Sequence, residues 1–225
     1  NKIACGMYVM LREGSACKDL QRLIKGVTSY NARRCILCSD DRQPKTILKE
    51  GHLDNHLRMC VAEGLDPIEV LRMATINACE CFGIKDRGAI APGYRADIVL
   101  FDNLKDFNVG KVWVEGELCA DNGEYLPEMK KHSIDSVKGS VHLADFSKDK
   151  LKMKLKSNKV NVIEILPGGV VTKKSVATVD IDEDGDFIRN PEVDIVKVSV
   201  AERHHALGNV ANGFLAGYGI KHGAI

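Results

Sequence analysis

No stretch of this sequence stays apolar for the roughly 18 residues that a membrane-crossing helix needs, so no helical span is expected. An excess of one charge is missing as well. The 32 lysines and arginines are met by 31 aspartates and glutamates, which leaves a formal net charge of +1. That balance gives no electrostatic footprint for nucleic acid or for an acidic membrane surface, and neither is expected as a partner. The opening residues carry no secretory signal pattern. They begin with Asn1 rather than Met, so the true start is expected upstream.

Several metal and phosphate motifs are begun but not completed. Cys35 and Cys38 form a C-x-x-C with no second pair and no paired histidines, which argues against a structural zinc site. His52 and His56 share a helix face, but Leu53 stands where the metalloprotease motif needs glutamate. Capping or packing is the expected role of that pair. The run Gly208 to Gly213 has phosphate-loop spacing and is followed by Phe214 instead of lysine. Asp180, Asp182, Asp184 and Gly185 imitate a calcium loop, but Pro191 occupies the final ligand position and Glu192 arrives one residue late. An acidic hairpin turn is expected there. The eight cysteines crowd the first half, mostly within apolar or helical segments. Such cysteines behave as small buried hydrophobes in a reducing cytosol, so a cytoplasmic protein without disulfides is expected.

What is present is an ordinary globular composition, 44% hydrophobic and 28% charged, in 225 residues. That is enough for one large or two small domains. The order of elements to about residue 83 reads β-α-β-α-α. A strand in GMYVMLREGS is followed by a helix in ACKDLQRLIKGV that stops at Gly26. A second strand in RRCILCSDD is followed by a helix in HLDNHLRMCVAEG. One helix then runs from an Asp66 cap and Pro67 to Gly83. Continuous apolar strands alternating with helices belong to a parallel sheet buried on both faces. Two parallel strands cannot close a sheet, so this portion reads as the tail of a larger barrel.

The pattern then changes. GAIAPGYRADIVLFD and VGKVWVEGELCADNGEYL carry short β-branched runs, with a hairpin turn at Asp121-Asn122-Gly123. Beyond about residue 131, strand runs alternate with Gly, Pro and Asp turns, and the chain ends glycine-dense.

Two acids stand where a core strand ends. Asp40 and Asp41 follow the run Cys35 to Cys38, and Glu13 follows the preceding strand. In a (β/α) barrel these ends form the catalytic face. A carboxylate there can hold a divalent metal or take a proton from a water. Glu13 can hold a polar substrate edge, or simply pair with Arg12. Glu202, Arg203, His204 and His205 form a polar cluster beside a glycine-rich loop, which suits a lid or site wall.

The segments MLREGSA, LCSDDRQP, EGHLDNHLR, GAIAPGYRADIVLFD and VAERHHALGN together resemble bacterial adenine deaminases, within the amidohydrolase superfamily. The resemblance runs along almost the whole chain in the same order. REGSA, SDDRQP and ERHHALGN are its more specific parts. It implies an α/β plus β fold: the last two βα units of a metal-dependent (β/α)8 barrel over residues 1–86, part of a small β-sandwich over 87–130, and an incomplete C-terminal α+β domain over 131–225. It implies hydrolytic deamination of adenine to hypoxanthine and ammonia by a metal-activated water, in purine salvage, by a homo-oligomer.

The site residues it implies are Asp40 as metal ligand and proton carrier and Glu13 as an acid near the purine. Arg12, Asp41 and His204 join Glu13 in substrate binding, with Asp41 orienting its neighbour or the loop. Manganese or ferrous iron is implied at a binuclear site whose other ligands lie on strands absent from this chain. The isolated chain is therefore expected to be inactive. A different cyclic-amide amidohydrolase, or a non-catalytic assembly module built from an enzyme remnant, are the alternatives.

Overall fold

A computed structural model describes residues 1–167 and 170–224. The chain divides into two compact units, Asn1–Met129 and Lys130–Ile225.

In the first unit, β1 (Val9–Arg12) pairs in parallel with β2 (Cys35–Cys38), from Val9 opposite Cys35 to Arg12 opposite Cys38. Cys35, Ile36 and Leu37 are all buried, as expected of a strand covered on both faces. Among the described residues these two strands pair only with each other. Between them the chain makes α1 (Leu20–Leu23), which tightens into a 3-10 turn over Ile24–Gly26. Leu20 and Ile24 turn inward.

After β2 come α2 (Pro44–Glu50) and α3 (Leu53–Ala62), then α4 (Pro67–Ala74) and α5 (Ile76–Phe82). Asp66 caps α4, accepting from the amides of Ile68 and Glu69. The sequence reads as one helix from Asp66 to Gly83, but the structure breaks it at Thr75. There the backbone leaves the helical region, and the hydroxyl donates to the Leu71 carbonyl at 2.7 Å. The Thr75 amide bonds to Arg72 instead of to Leu71, so the ladder is interrupted. Leu57, Cys60, Val70 and Met73 from these helices close over Leu11 and Leu37 to make the core.

The rest of the first unit is an antiparallel meander of β3 (Ile98–Phe101), β4 (Val109–Val114), β5 (Glu117–Asp121) and β6 (Glu124–Tyr125). Asn122 and Gly123 both take positive φ, the geometry of a two-residue hairpin, and bring Asp121 opposite Glu124. Phe107, fully buried, joins the core of the helices and meets Phe101 edge-on at 5.4 Å.

The second unit holds a mixed sheet in the order β11-β12-β7-β8, from β7 (Lys159–Ile165), β8 (Thr172–Thr178), β11 (Ile195–Ala201) and β12 (Val210–Ala216). Only β12 and β7 run parallel. The glycine turn expected at Gly168 and Gly169 lies outside the described residues. A small hairpin of β9 (Asp180–Ile181) and β10 (Phe187–Ile188) carries the acidic run. Val160, Val162, Val179, Ile195 and Phe214 form this unit's own core.

Candidate functional site

The segments REGSA and SDDRQP both leave the C-terminal ends of β1 and β2, and the parallel register sets them side by side. Their backbones are hydrogen-bonded into one structure. Asp41 turns its carboxylate onto the first loop. Oδ2 accepts from the Ala16 amide at 2.8 Å, and Oδ1 from the amides of Ser15 and Cys17 at 3.2 and 3.4 Å. Those amides, Ala16 foremost, hold the Asp41 carboxyl below the ordinary carboxylate range. The approach is close enough that a Cβ on Gly14 would lie 1.7 Å from Asp41 Oδ1. A glycine is required there for space.

The loops are tied in the opposite direction too. The Ser15 hydroxyl accepts from the Gln43 amide at the start of α2 and donates to Thr46. A residue of the first loop thus caps a helix of the second. The Arg42 side chain is 1% exposed. Its Nη1 reaches the carbonyls of Glu13 and Gly14 at 3.4 Å, its Nε donates to the Gly51 carbonyl at 2.9 Å, and its Nη2 pairs with Glu50 at 3.0 Å.

Asp40 differs from its neighbour. It sits at φ +48°, a left-handed conformation that a side chain with a short polar group tolerates. Its carboxylate remains 36% exposed and lies beside Arg12, whose Nη1 is 3.6 Å from Oδ1, with the Cys17 thiol on another side. Arg12 is itself held by Asp19, which accepts from both Nε and Nη2 at 3.1 Å. That hydrogen bond, first of all, raises the Arg12 pKa. Glu13 points inward. It is 6% exposed, and its Oε2 accepts from the Leu20 amide at the start of α1 at 3.1 Å. Burial pushes its carboxyl above the ordinary value, and the Leu20 amide opposes that.

One sulfur and two carboxylates come close enough for a metal. Ligand atoms of Cys17, Asp40 and Asp41 lie within 4.8 Å of one another. The donor chemistry separates them. The Asp41 oxygens already accept three amides, and burial raises the Cys17 thiol pKa, which disfavours the thiolate. Both aspartates are exposed, and Asp40 is the one whose carboxylate takes no amide donor among the described residues, which leaves it free for a single coordination position.

Beneath the loops His56 is fully buried. Its ring nitrogens face the carbonyls of His52 at 2.8 Å and Cys38 at 3.1 Å. Burial lowers its pKa. It supports the end of β2, where the Cys38 carbonyl leads into Ser39 and Asp40. His52 begins α3 and is exposed.

In the second unit, His204 lies on an exposed loop between β11 and β12. Glu202 builds that loop, accepting from the amides of His204, His205 and Leu207 at 2.6, 2.8 and 2.9 Å. The acidic hairpin uses its own carboxylates. Asp182 accepts from the amides of Asp184 and Asp186, and Asp186 from those of Met153 and Phe187. The glycine run from Gly208 enters β12, with no helix N-terminus to cradle a phosphate.

Of the residues the sequence singles out, the structure sets Arg12 against Asp40 and ties Asp41 to the loop after Glu13, whose carboxylate turns inward, while His204 belongs to the second unit. Sequence reading did not single out Arg42, Asp19 or Ser15. The available signal was position alone: each lies within seven residues of a candidate acid or base, in the same two loops.

The amidohydrolase family profile matches residues 7–119, and the profile of the adenine deaminase C-terminal domain matches residues 169–225. A protein named adenine deaminase 2, from Desulfotalea psychrophila, is 58% identical over 224 residues, across 100% of this chain. An adenine deaminase from Ligilactobacillus salivarius is 49% identical over 224 residues, again across 100% of this chain. The chain spans 39% of the length of each of these relatives. A solved amidohydrolase from Thermotoga maritima aligns with 39% of this chain and 22% of its own at 21% identity and a TM-score of 0.32, a likeness too loose to bear on the fold.

Proposed function

The chain belongs to the amidohydrolase family, and from that premise we propose that it is a segment of an adenine deaminase, which hydrolyses adenine to hypoxanthine and ammonia. The observation that carries this reading is the division of labour between adjacent acids. Asp41 is spent on the amides of the first loop, and Asp40 is left open at the end of β2 beside Arg12. The two relatives named adenine deaminase, matched along the whole chain, supply the substrate.

In this reading β1 and β2 are the final strands of a (β/α) barrel, and the loops beyond them lie on its catalytic face. The strands β3 to β6 belong to a small β-sandwich, and the second unit is the deaminase-type C-terminal domain. Asp40 supplies one ligand to a divalent metal, manganese or ferrous iron. That metal, when bound, contributes a Lewis acid and a water of lowered pKa.

Asp40 takes the proton released as water's oxygen bonds to the ring carbon that bears the amino group, and delivers it to that amino nitrogen as the C–N bond breaks and ammonia leaves. Arg12, fixed by Asp19, keeps the Asp40 carboxylate aimed and lines the substrate side. Glu13, whose carboxyl burial raises, is assigned to share a proton with a ring nitrogen of the purine. Asp41 contributes by fixing the loop that carries Glu13, and through that loop the substrate. His204 is assigned to substrate binding on its motif.

One ligand cannot hold a catalytic metal, because such sites use about three protein ligands or more. The 225 residues alone are expected to leave adenine untouched. The full-length protein, supplied with manganese or ferrous iron, is expected to convert adenine to hypoxanthine, followed by ultraviolet absorbance. Turnover of cyclic amides with none of adenine would replace this reading with another amidohydrolase specificity.

A further inference from the structure

We infer that Arg42 is a positioning residue for the deaminase site, a buried fork that sets the distance between the loop bearing Glu13 and the loop bearing Asp40. The inference rests on the deaminase reading for its catalytic consequence, though not for its structural one.

A guanidinium out of water is costly, and its desolvation is offset only by good geometry and satisfied donors. Arg42 meets that demand with one opposite charge and three backbone carbonyls. Glu50 is its one carboxylate partner among the described residues, on Nη2, and the carbonyls of Gly51, Glu13 and Gly14 accept from Nε and Nη1. These carbonyls belong to two segments far apart in sequence: the exit of β1, and the junction of α2 with α3. Arg42 itself stands on a third, directly after the two acids.

The junction is stiffened from its other side. Arg58 donates to the Glu50 carbonyl at 2.8 Å and to Asp54 at 2.7 Å. The fork therefore pulls the β1 exit against a braced support. A lysine at position 42 keeps the charge but cannot make the same planar set of contacts.

The carbonyls that Arg42 grips belong to the residues just before the amides that Asp41 grips. Donor and acceptor sides of the first loop are thus held by successive residues of the second. Displacing reacting groups by about 1 Å can cost roughly a hundredfold in rate without touching substrate. Losing the fork should produce that kind of loss.

The test uses the full-length protein with metal, in Arg42→Lys, Arg42→Gln and Glu50→Gln forms, with Arg72→Gln as control. Arg72 pairs with Glu69 on the exposed face of α4, outside the site. Two quantities are read, well below each variant's melting temperature. One is kcat and KM for adenine per folded molecule. The other is hydrogen exchange of the Ser15, Ala16 and Cys17 amides.

Arg42→Gln is expected to lower kcat roughly a hundredfold and Arg42→Lys roughly tenfold, with KM within about threefold of wild type. Exchange at the three amides should quicken in both, and Arg72→Gln should match wild type in everything. If Arg42→Gln does not fold, Arg42→Lys and the milder Glu50→Gln decide. Unchanged kcat per folded molecule in an active enzyme, or unchanged exchange at the three amides, would overturn the inference. If the wild type itself leaves adenine untouched, the deaminase reading falls, and the exchange measurement still decides the role of Arg42.

Discussion

Asp40 and Asp41 carry the same side chain on consecutive residues, and the backbone gives them separate work. A positive φ at Asp40 swings its carboxylate toward Arg12 and solvent. At Asp41 three amides converge on the carboxylate and stabilise its charged form. Its folded pKa is lowered, so its contribution to stability is complete above the ordinary value of 3.8 and is lost as pH falls through the lower folded value. Asp41→Asn should therefore cost about 1 kcal/mol near neutral pH, the exposure of the group having been discounted. That difference from wild type should be flat above about pH 5 and shrink below about pH 4, in denaturant titrations at a series of pH values. A difference that grows on acidification would mean that Asp41 is not held in its charged form.

The loops that follow β1 and β2 carry Glu13, Asp40 and Asp41, and their hydrogen bonds make the two loops one element. Gly14 shows this most clearly. A methyl group there would displace the Asp41 carboxylate and so disturb the same hydrogen bonds that Asp41→Asn weakens by replacing one acceptor oxygen with a donor. Gly14→Ala is expected to destabilise at least as much as Asp41→Asn. The double variant should be little worse than Gly14→Ala alone, because the interaction can be lost only once. Full additivity in a double-mutant cycle would mean that the loops are held independently.

The elements themselves were unevenly legible. Asp66 with Pro67, and Asn122 with Gly123, announce a helix start and a hairpin through chemistry confined to a few residues. The break at Thr75 was hidden because helical periodicity continues across it, while one hydroxyl redirects the local bonding. The strand ends and their acids could be read from an apolar run meeting two carboxylates. The burial of Arg42 could not, since its partners sit 8 to 29 residues away and meet only in the fold.

Over the whole molecule, two units each bury their own core: one of helices over a parallel pair with its meander, and one a mixed sheet. The catalytic claim comes down to which of two adjacent acids is indispensable. The deciding measurement is kcat for adenine, beside the melting temperature, in the full-length metal-loaded protein carrying Asp40→Asn or Asp41→Asn. Asp40→Asn should abolish turnover by roughly a thousandfold or more while leaving the melting temperature nearly unchanged. Asp41→Asn should lower the melting temperature and retain far more turnover per folded molecule. The reverse pattern, with Asp41→Asn inactive and Asp40→Asn active, would contradict the assignment of Asp40.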